Sequence, residues 1–383
     1  MATTTIPWGD GSGDNIYLTY SASQGDQTVL VSSDANAGST DRTKTITFTA
    51  SHHGTTDTKT LTVVQEGVPE PYIVFADPSV EAICATKWGD GVGITATQAA
   101  AVTNAQFGTT FNGKTGITTF EEFSYFTGVT TLAAGAFSGS SLQRIALPST
   151  CLTINRAFQN CSALTYLDLP DGVTILYNQT FRNTTTLQEV TFRGTYSPGV
   201  NGFSGCSNLK RANIASVDVW AGNSSLFQAG TIGINSTALH LYLIGGNTEI
   251  TEPVISGTVS AVGAWTFFCC IGLTKVTMNT GVASIGNAAF MNCTGLTLVD
   301  IPSSVTSIGA QAFMYAGATN NKCTYIVRAT TPPTLANTNA FTGNRINKIY
   351  VPNGTLSAYQ TASNWSNFAS YMAELDANGN IPT

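Results

Sequence analysis

Charge is what this 383-residue chain has least of: Asp, Glu, Lys and Arg together make up 10% of it, against about 25% in an average domain. The 16 Lys and Arg are scattered along the whole length and outnumbered by 22 Asp and Glu. No basic patch of the kind that holds a nucleic-acid duplex or an anionic membrane surface is expected from them. Histidine is nearly missing, with His52, His53 and His240 as its three occurrences. The eight cysteines, Cys84, Cys151, Cys161, Cys206, Cys269, Cys270, Cys293 and Cys323, include no C-x-x-C pair, so a Cys/His zinc site is not expected. No apolar run reaches 18 residues, so no membrane insertion is expected. There is no G-x-S-x-G, so no nucleophile elbow is offered. The acid pair Glu121-Glu122 diverges, and Asp168 and Asp171 sit at a strand end, where polar residues belong anyway. The opening MATTTIPWGDGSGD has neither a basic start nor an apolar stretch; the expectation is a chain without a secretory leader of its own, trimmed or exported by another route. What is plentiful is apolar and aromatic material, 42% and 10% of residues, enough for a sizeable core.

Residues 1–67 read as short strands between turns: Ile16–Tyr20, Thr28–Ser32, Thr43–Ala50 and Lys59–Gln65. Each is rich in Thr, Val, Ile and aromatics, and alternation in Thr45-Ile46-Thr47-Phe48-Thr49 and around Leu61 and Val63 puts one face inward. Asp34–Gly38 and His52-His53-Gly54 supply turns. The expectation is a small antiparallel sandwich. The stretches Asn36-Ala37-Gly38…Asp41–Phe48 and Lys59–Gly67 resemble the C-terminal half of a BACON domain. That resemblance implies an immunoglobulin-like module of the kind found on surface and glycan-degrading proteins of gut anaerobes and in some phage tail proteins, proposed to bind carbohydrate or mucin.

Val68-Pro69-Glu70-Pro71 reads as a stiff linker over 68–71. Residues 72–130 then carry helix signals and read as a helical adaptor. Asp77-Pro78 starts a helix through Ser79–Thr86, Thr95 and Gln98 have capping-box spacing, and Thr119-x-x-Glu122 predicts a further helix bearing Phe120, Phe123 and Phe126 as one core stripe.

The deciding feature is a repeat. Phe158-x-x-Cys161-x-x-Leu164-x-x-Leu167-x-Leu169 recurs from Phe181, Phe203, Phe267 and Phe290, with a shorter copy at Phe137 and looser ones at Phe313 and Phe341. Val282-x-x-Ile285-Gly286 and Val305-x-x-Ile308-Gly309 recur between copies, 23 residues apart. One such unit cannot bury its apolar side alone, so units must stack, each placing its phenylalanine and leucines in a shared core. The pattern A-F-x-x-C-x-x-L…I-P…V-x-x-I-G, as in Ala289–Gly309, resembles the BspA-type leucine-rich repeats. It covers about 131–351, with an irregular longer coil at 215–262 and a helical cap and tail over 352–383, where Tyr359, Trp365 and Phe368 close the last coil. The fold class expected is mainly β with short helices: a sandwich followed by a right-handed solenoid with a helical cap.

The resemblance implies surface adhesion or ligand binding, not catalysis, at a cell surface or in secreted form, with no cofactor. The partner expected is a host glycan, mucin, polysaccharide or extracellular protein. The alternatives are a phage-tail or secreted-assembly structural or receptor-binding protein and, more remotely, a glycoside hydrolase accessory. Outward strand positions form two files in which Tyr166, Asp168, Glu189, Arg211, Asn213 and Lys275 are the candidate ligand contacts. Cys161, Cys206, Cys270 and Cys293 occupy a motif position that Ser140, Thr184 and Ala316 also fill, so small buried packing, not thiol chemistry, is expected there. Cys270 and Cys293 fall on adjacent coils within reach of a bridge. Asp10–Asp14 opens like a calcium loop but lacks its glycine and closing glutamate, Asp376–Asn380 runs out of chain, and Lys87–Gln98 looks like a degenerate EF-hand loop keeping only Asp90.

Overall fold

A computed structural model describes residues 2–20, 29–38, 40–52, 55–177, 179–198, 202–223, 238–341 and 345–382. The fold is mostly β with a few short helices, and the chain divides into two units, Met1–Tyr72 and Ile73–Thr383.

In the first unit, Ala2–Pro7, Asn15–Tyr20 and Val29–Ser33 pair in chain order as an antiparallel sheet. Arg42–His52 and Thr55–Gln65 form an antiparallel ribbon. Trp8, Ile16, Leu18 and Ile46 are its buried core, with Ile6, Val31, Phe48 and Val63 packed against them. The strand Ala2–Pro7 was not expected: ATTTIP has one large aliphatic residue and no alternation, and it is recruited by the ladder of Asn15–Tyr20 through threonines that suit a pleat. Thr28 and the His53-Gly54 turn lie outside the described residues.

The second unit opens with the helix Pro78–Trp88, capped by Asp77. Asp77 Oδ1 accepts from the backbone N–H of Ser79, at 2.8 Å, and of Val80, while Oδ2 accepts from Thr118 N and Oγ1. One buried carboxylate thus ties the helix start to the first coil. Capping boxes start Ala96–Ala100 (Thr95, Gln98) and Asn104–Phe107 (Thr103, Gln106). The helix expected from Thr119-x-x-Glu122 is absent. Thr119–Phe120 is a short strand paired with Arg144–Ile145, and Glu121–Tyr125 is a 3₁₀ helix without a side-chain cap. Glu122 accepts instead from Ala76 N. The pairing captures Thr119 before it can cap, yet Phe120, Phe123 and Phe126 are still fully buried.

Beyond this the chain climbs by coils. The long strands Tyr166–Leu169, Glu189–Phe192, Arg211–Ile214 and His240–Leu243 form one parallel sheet. Val254–Ile255, Lys275–Met278, Leu298–Ile301, Cys323–Val327, Ile346–Val351 and Met372–Glu374 form a second. Between the two sheets the irregular coil holds a short helix, Val217–Gly222, and a reversal in which Tyr242 bridges Glu249 antiparallel. Two-residue strands such as Thr153–Ile154, Ile175–Leu176, Ser284–Ile285 and Ser307–Ile308 make parallel ladders of their own.

Within the core the repeat phenylalanines line up. Phe137, Phe158, Phe181 and Phe203 stack with centroids 5.4, 5.6 and 4.7 Å apart and planes within 16°. Phe267, Phe290, Phe313 and Phe341 stack at 4.9, 5.3 and 5.4 Å. These spacings match the strand-to-strand distance of a β-ladder, so the backbone pairing sets the ring stacking. Phe107, Phe111, Phe120 and Phe123 surround Phe137 at one end. At the other end Trp365 and Phe368 pack on Phe341, while Tyr359 donates to the Ala329 carbonyl at 2.6 Å and Trp365 Nε1 to that of Pro333 at 2.7 Å. This closing segment is a short helix, Leu356–Thr361, and a 3₁₀ helix, Trp365–Tyr371; its last residues, Met372–Glu374, add a strand that the helical cap expected from the sequence did not include.

Phe181→Ala empties a slot between two stacked rings and is expected to lower stability by about 3–5 kcal/mol; urea unfolding checks it, and a loss below about 1 kcal/mol contradicts close packing of the column. Burial raises the Asp77 pKa, but the hydrogen bonds from Thr118, Ser79 and Thr119 outweigh it and hold the carboxyl below its ordinary value. Its stabilising effect is therefore full above the unfolded pKa of about 3.9 and lost as pH falls through the depressed folded value. In urea midpoints measured from about pH 6 down to pH 2, Asp77→Asn is expected to flatten the acid limb; an unchanged limb contradicts the assignment.

Candidate binding surface

The outward side chains of the first parallel sheet fall into two files in register. One runs Tyr166, Glu189, Arg211, His240, and the other Asp168, Thr191, Asn213, Tyr242. Five of the six nominated residues therefore share one face. Lys275 does not: it belongs to the second sheet, in a file with Leu298, Thr324 and Lys348, beyond the reversal at Tyr242–Glu249.

The files are tied together by polar contacts. Asn213 Nδ2 donates to Glu189 Oε1 at 2.6 Å and to Thr191 Oγ1 at 3.2 Å, and the Tyr166 and Thr191 hydroxyls share a hydrogen bond. Arg211 Nε donates to Asn213 Oδ1 and lies 3.3 Å from Glu189 Oε1, and Arg211 Nη2 donates to the Gly246 carbonyl. The guanidinium sits 3.7 Å above the Tyr242 ring, a cation–π contact. His240 Nδ1 and Glu249 Oε1 are 2.6 Å apart. Asn213 and Thr191 are not the solvent-facing positions the alternation implied: they are 7% and 3% exposed. Their longer neighbours Tyr166, Glu189 and Arg211 hydrogen-bond to them, so Asn213 and Thr191 lie beneath those side chains.

Asp168 is held from outside the nominated set. Arg193 donates Nε and Nη2 to its two carboxylate oxygens at 2.8 and 2.7 Å, the bidentate geometry of a strong ion pair. This hydrogen bonding raises the Arg193 pKa further. Arg328 grips Asp300 in the same way on the second sheet, at 2.7 and 2.8 Å. The signal for both was in the sequence: an arginine directly after the last apolar strand residue, one coil after an aspartate between two aliphatics.

The other candidates resolve differently. The calcium-like loop Asp10–Asp14 wraps the protein's own cation: Arg42 Nη1 donates to Asp14 Oδ2 at 2.8 Å and to Asp10 and Ser12, while its guanidinium lies 4.5 Å from the Trp8 ring centroid. The Asp90 carboxylate accepts from the N–H groups of Val92 and Gly93. Among the described residues no three His, Cys, Asp or Glu side chains converge as a metal site. All eight cysteines are buried free thiols, Cys270 and Cys293 included. Cys161, Cys206 and Cys293 donate Sγ–H to the carbonyls of Phe137, Phe181 and Phe267, one coil earlier for each, at 3.1, 3.2 and 2.9 Å. Thr184 Oγ1 does the same for Phe158 at 2.6 Å. The motif position holds a small buried side chain, as expected, Ala316 included, and at these four positions that side chain also donates to the coil before. Burial pushes the Cys161 thiol up to about 11 and those of Cys206 and Cys323 up to about 12, far from a nucleophile's range.

Residues 111–230 and 245–368, more than half of the chain, match the BspA type leucine rich repeat region in six copies. The chain belongs to that family. No curated protein matches it. Among solved structures, this BspA-type chain is similar to a leucine-rich repeat protein from Eubacterium ventriosum, with 20% identity, 66% of this chain and 63% of that one covered, and a TM-score of 0.37. It is also similar to a leucine rich cell surface protein from Faecalibacterium prausnitzii (16% identity, 69% and 86% covered, TM-score 0.34). A leucine-rich repeat protein from Bacteroides ovatus is a third (16% identity, 94% and 98% covered, TM-score 0.23). The chain thus spans 63% of the length of the E. ventriosum protein it matches. Membership of the family is consistent with a binding or surface role. Among the described residues no helix is long and apolar enough to cross a membrane.

With every thiol buried and its thiolate disfavoured, the native protein at about pH 8 is expected to leave all its cysteines unmodified by Ellman's reagent, and all eight to react once it is unfolded. Fast reaction of any native thiol contradicts the burial.

Proposed function

We propose that this is a non-catalytic binding protein of a cell surface or secreted assembly, which recognises host glycoprotein, mucin, polysaccharide or an extracellular protein through the outward files of its repeats. In this reading the first unit is a BACON-like, immunoglobulin-like sandwich that adds a second contact or acts as a spacer, and the repeats form a right-handed solenoid. The observation that carries the reading is the first sheet's outer face, where Tyr166, Glu189, Arg211 and Tyr242 are fixed in place by hydrogen bonds, an ion pair and ring contact before any partner arrives. Preorganised aromatic and polar side chains lose little freedom on binding. Family membership and the buried, donor-engaged thiols support a role without chemistry.

Retention of the full chain on an array of glycans, mucins and extracellular-matrix proteins tests it. At least one class is expected to retain the protein, and Arg211→Ala, which releases Tyr242 and the Gly246 turn together, to weaken that retention about tenfold. No retention by any surface contradicts the proposal.

A further inference from the structure

One part of the repeat surface differs from the rest. Across the first sheet nearly every polar group is engaged by a neighbour, but at its margin a cleft of about 330 Å³ opens between Ala146, Leu147, Ser149, Asp168, Pro170, Asp171 and Arg193. That volume is at the lower end of ligand clefts. Arg193 is fixed by its two bonds to Asp168, and among the described residues its Nη1 makes no hydrogen bond. Asp171 and Ser149 are exposed, and neither side chain makes a hydrogen bond to the protein among the described residues. Leu147 and Pro170 give the cleft an apolar wall.

We propose that this cleft binds a neutral sugar, a single pyranose or the end of a short glycan. The inference rests on the binding role proposed above and names the ligand class for one place on that surface. Vicinal hydroxyls both donate and accept. A pair of them can meet the Asp171 carboxylate as acceptor and Arg193 Nη1 as donor, with Ser149 able to do either. The C–H face of the ring packs on Leu147 and Pro170. The charges choose among ligands: Asp168, Asp171 and Arg193 sum to one negative charge, with a positive group in their midst. The net negative charge disfavours a sialate or sulfate, and a lysine side chain, though drawn by Asp171, brings no acceptor for Arg193 Nη1. A polyol meets neither objection.

Saturation-transfer NMR and calorimetry on the full chain test this, with the methyl glycosides of galactose, glucose, mannose, fucose and N-acetylglucosamine as probes. A methyl sialoside and an N-acetyl-lysine amide serve as comparators. At least one neutral glycoside is expected to bind in the millimolar range and more tightly than either comparator. Asp171→Ala is expected to weaken it about tenfold, Ser149→Ala by less, and Lys322→Ala, exposed and outside the outward files, not at all. Asp171 makes no hydrogen bond that folding needs, so its variant isolates the cleft. Absence of binding by all five glycosides overturns the proposal, as do preference for a comparator and an unchanged affinity in Asp171→Ala. If the array retains the chain but none of the glycosides binds, the cleft falls while the binding role stands; if glycosides bind but no array surface retains the chain, the binding role falls and the cleft stands.

Discussion

A four-residue strand such as Glu189–Phe192 presents backbone donors and acceptors along both edges, and its coil presents a phenylalanine and several aliphatics toward one side. Neither need is met within the coil. The flanking strands Tyr166–Leu169 and Arg211–Ile214 meet the first by parallel pairing, and Phe158 and Phe203 meet the second by stacking on Phe181. Both are satisfied at one spacing, because the rise per coil is the spacing of a β-ladder. The thiol and hydroxyl bonds to the phenylalanine carbonyls serve the same constraint: a buried carbonyl inside each turn needs a donor, and Cys161, Thr184, Cys206 and Cys293 bring one from the next coil. Where the coils end, the constraint does not relax. It is met by different residues, the aromatic cluster around Phe137 on one side and Tyr359, Trp365 and Phe368 on the other.

The same stacking generates the outer face. Because the coils hold register, a residue chosen at one outward position has neighbours 23 or so residues away, and the surface chemistry is decided between coils and not within them. Asp168 with Arg193, Glu189 with Arg211 and Asp300 with Arg328 are all pairs of this kind. In a chain with 10% charged residues, these three pairs tie charges of neighbouring coils to one another.

What the sequence made legible were features that repeat. The phenylalanine column, the inward aliphatics and the capping of Pro78–Trp88 by Asp77 were readable because each rests on a local rule or a fixed period. What was not readable depended on partners distant in sequence. Ala2–Pro7 carries no strand pattern and exists because Asn15–Tyr20 offers it an edge. Thr119 has the spacing of a cap but pairs as a strand with Arg144–Ile145. Asn213 sits at an outward position by alternation and is buried by neighbours on its own strand and on adjacent coils, Arg211 and Glu189 among them. The recurring small residue after phenylalanine was readable for its size, whereas the carbonyl that Cys161, Thr184, Cys206 and Cys293 each reach lies one coil away.

The central claim is that ring stacking and strand pairing are one structure, held together along both runs of phenylalanines. Amide hydrogen exchange resolved by peptide across 137–341 tests it most directly. The account predicts that segments bearing Phe158, Phe181, Phe203, Phe290 and Phe313 exchange as slowly as the strands that follow them, because opening a turn requires opening its coil. Rapid exchange at those phenylalanine turns, beside protected strands, would contradict it.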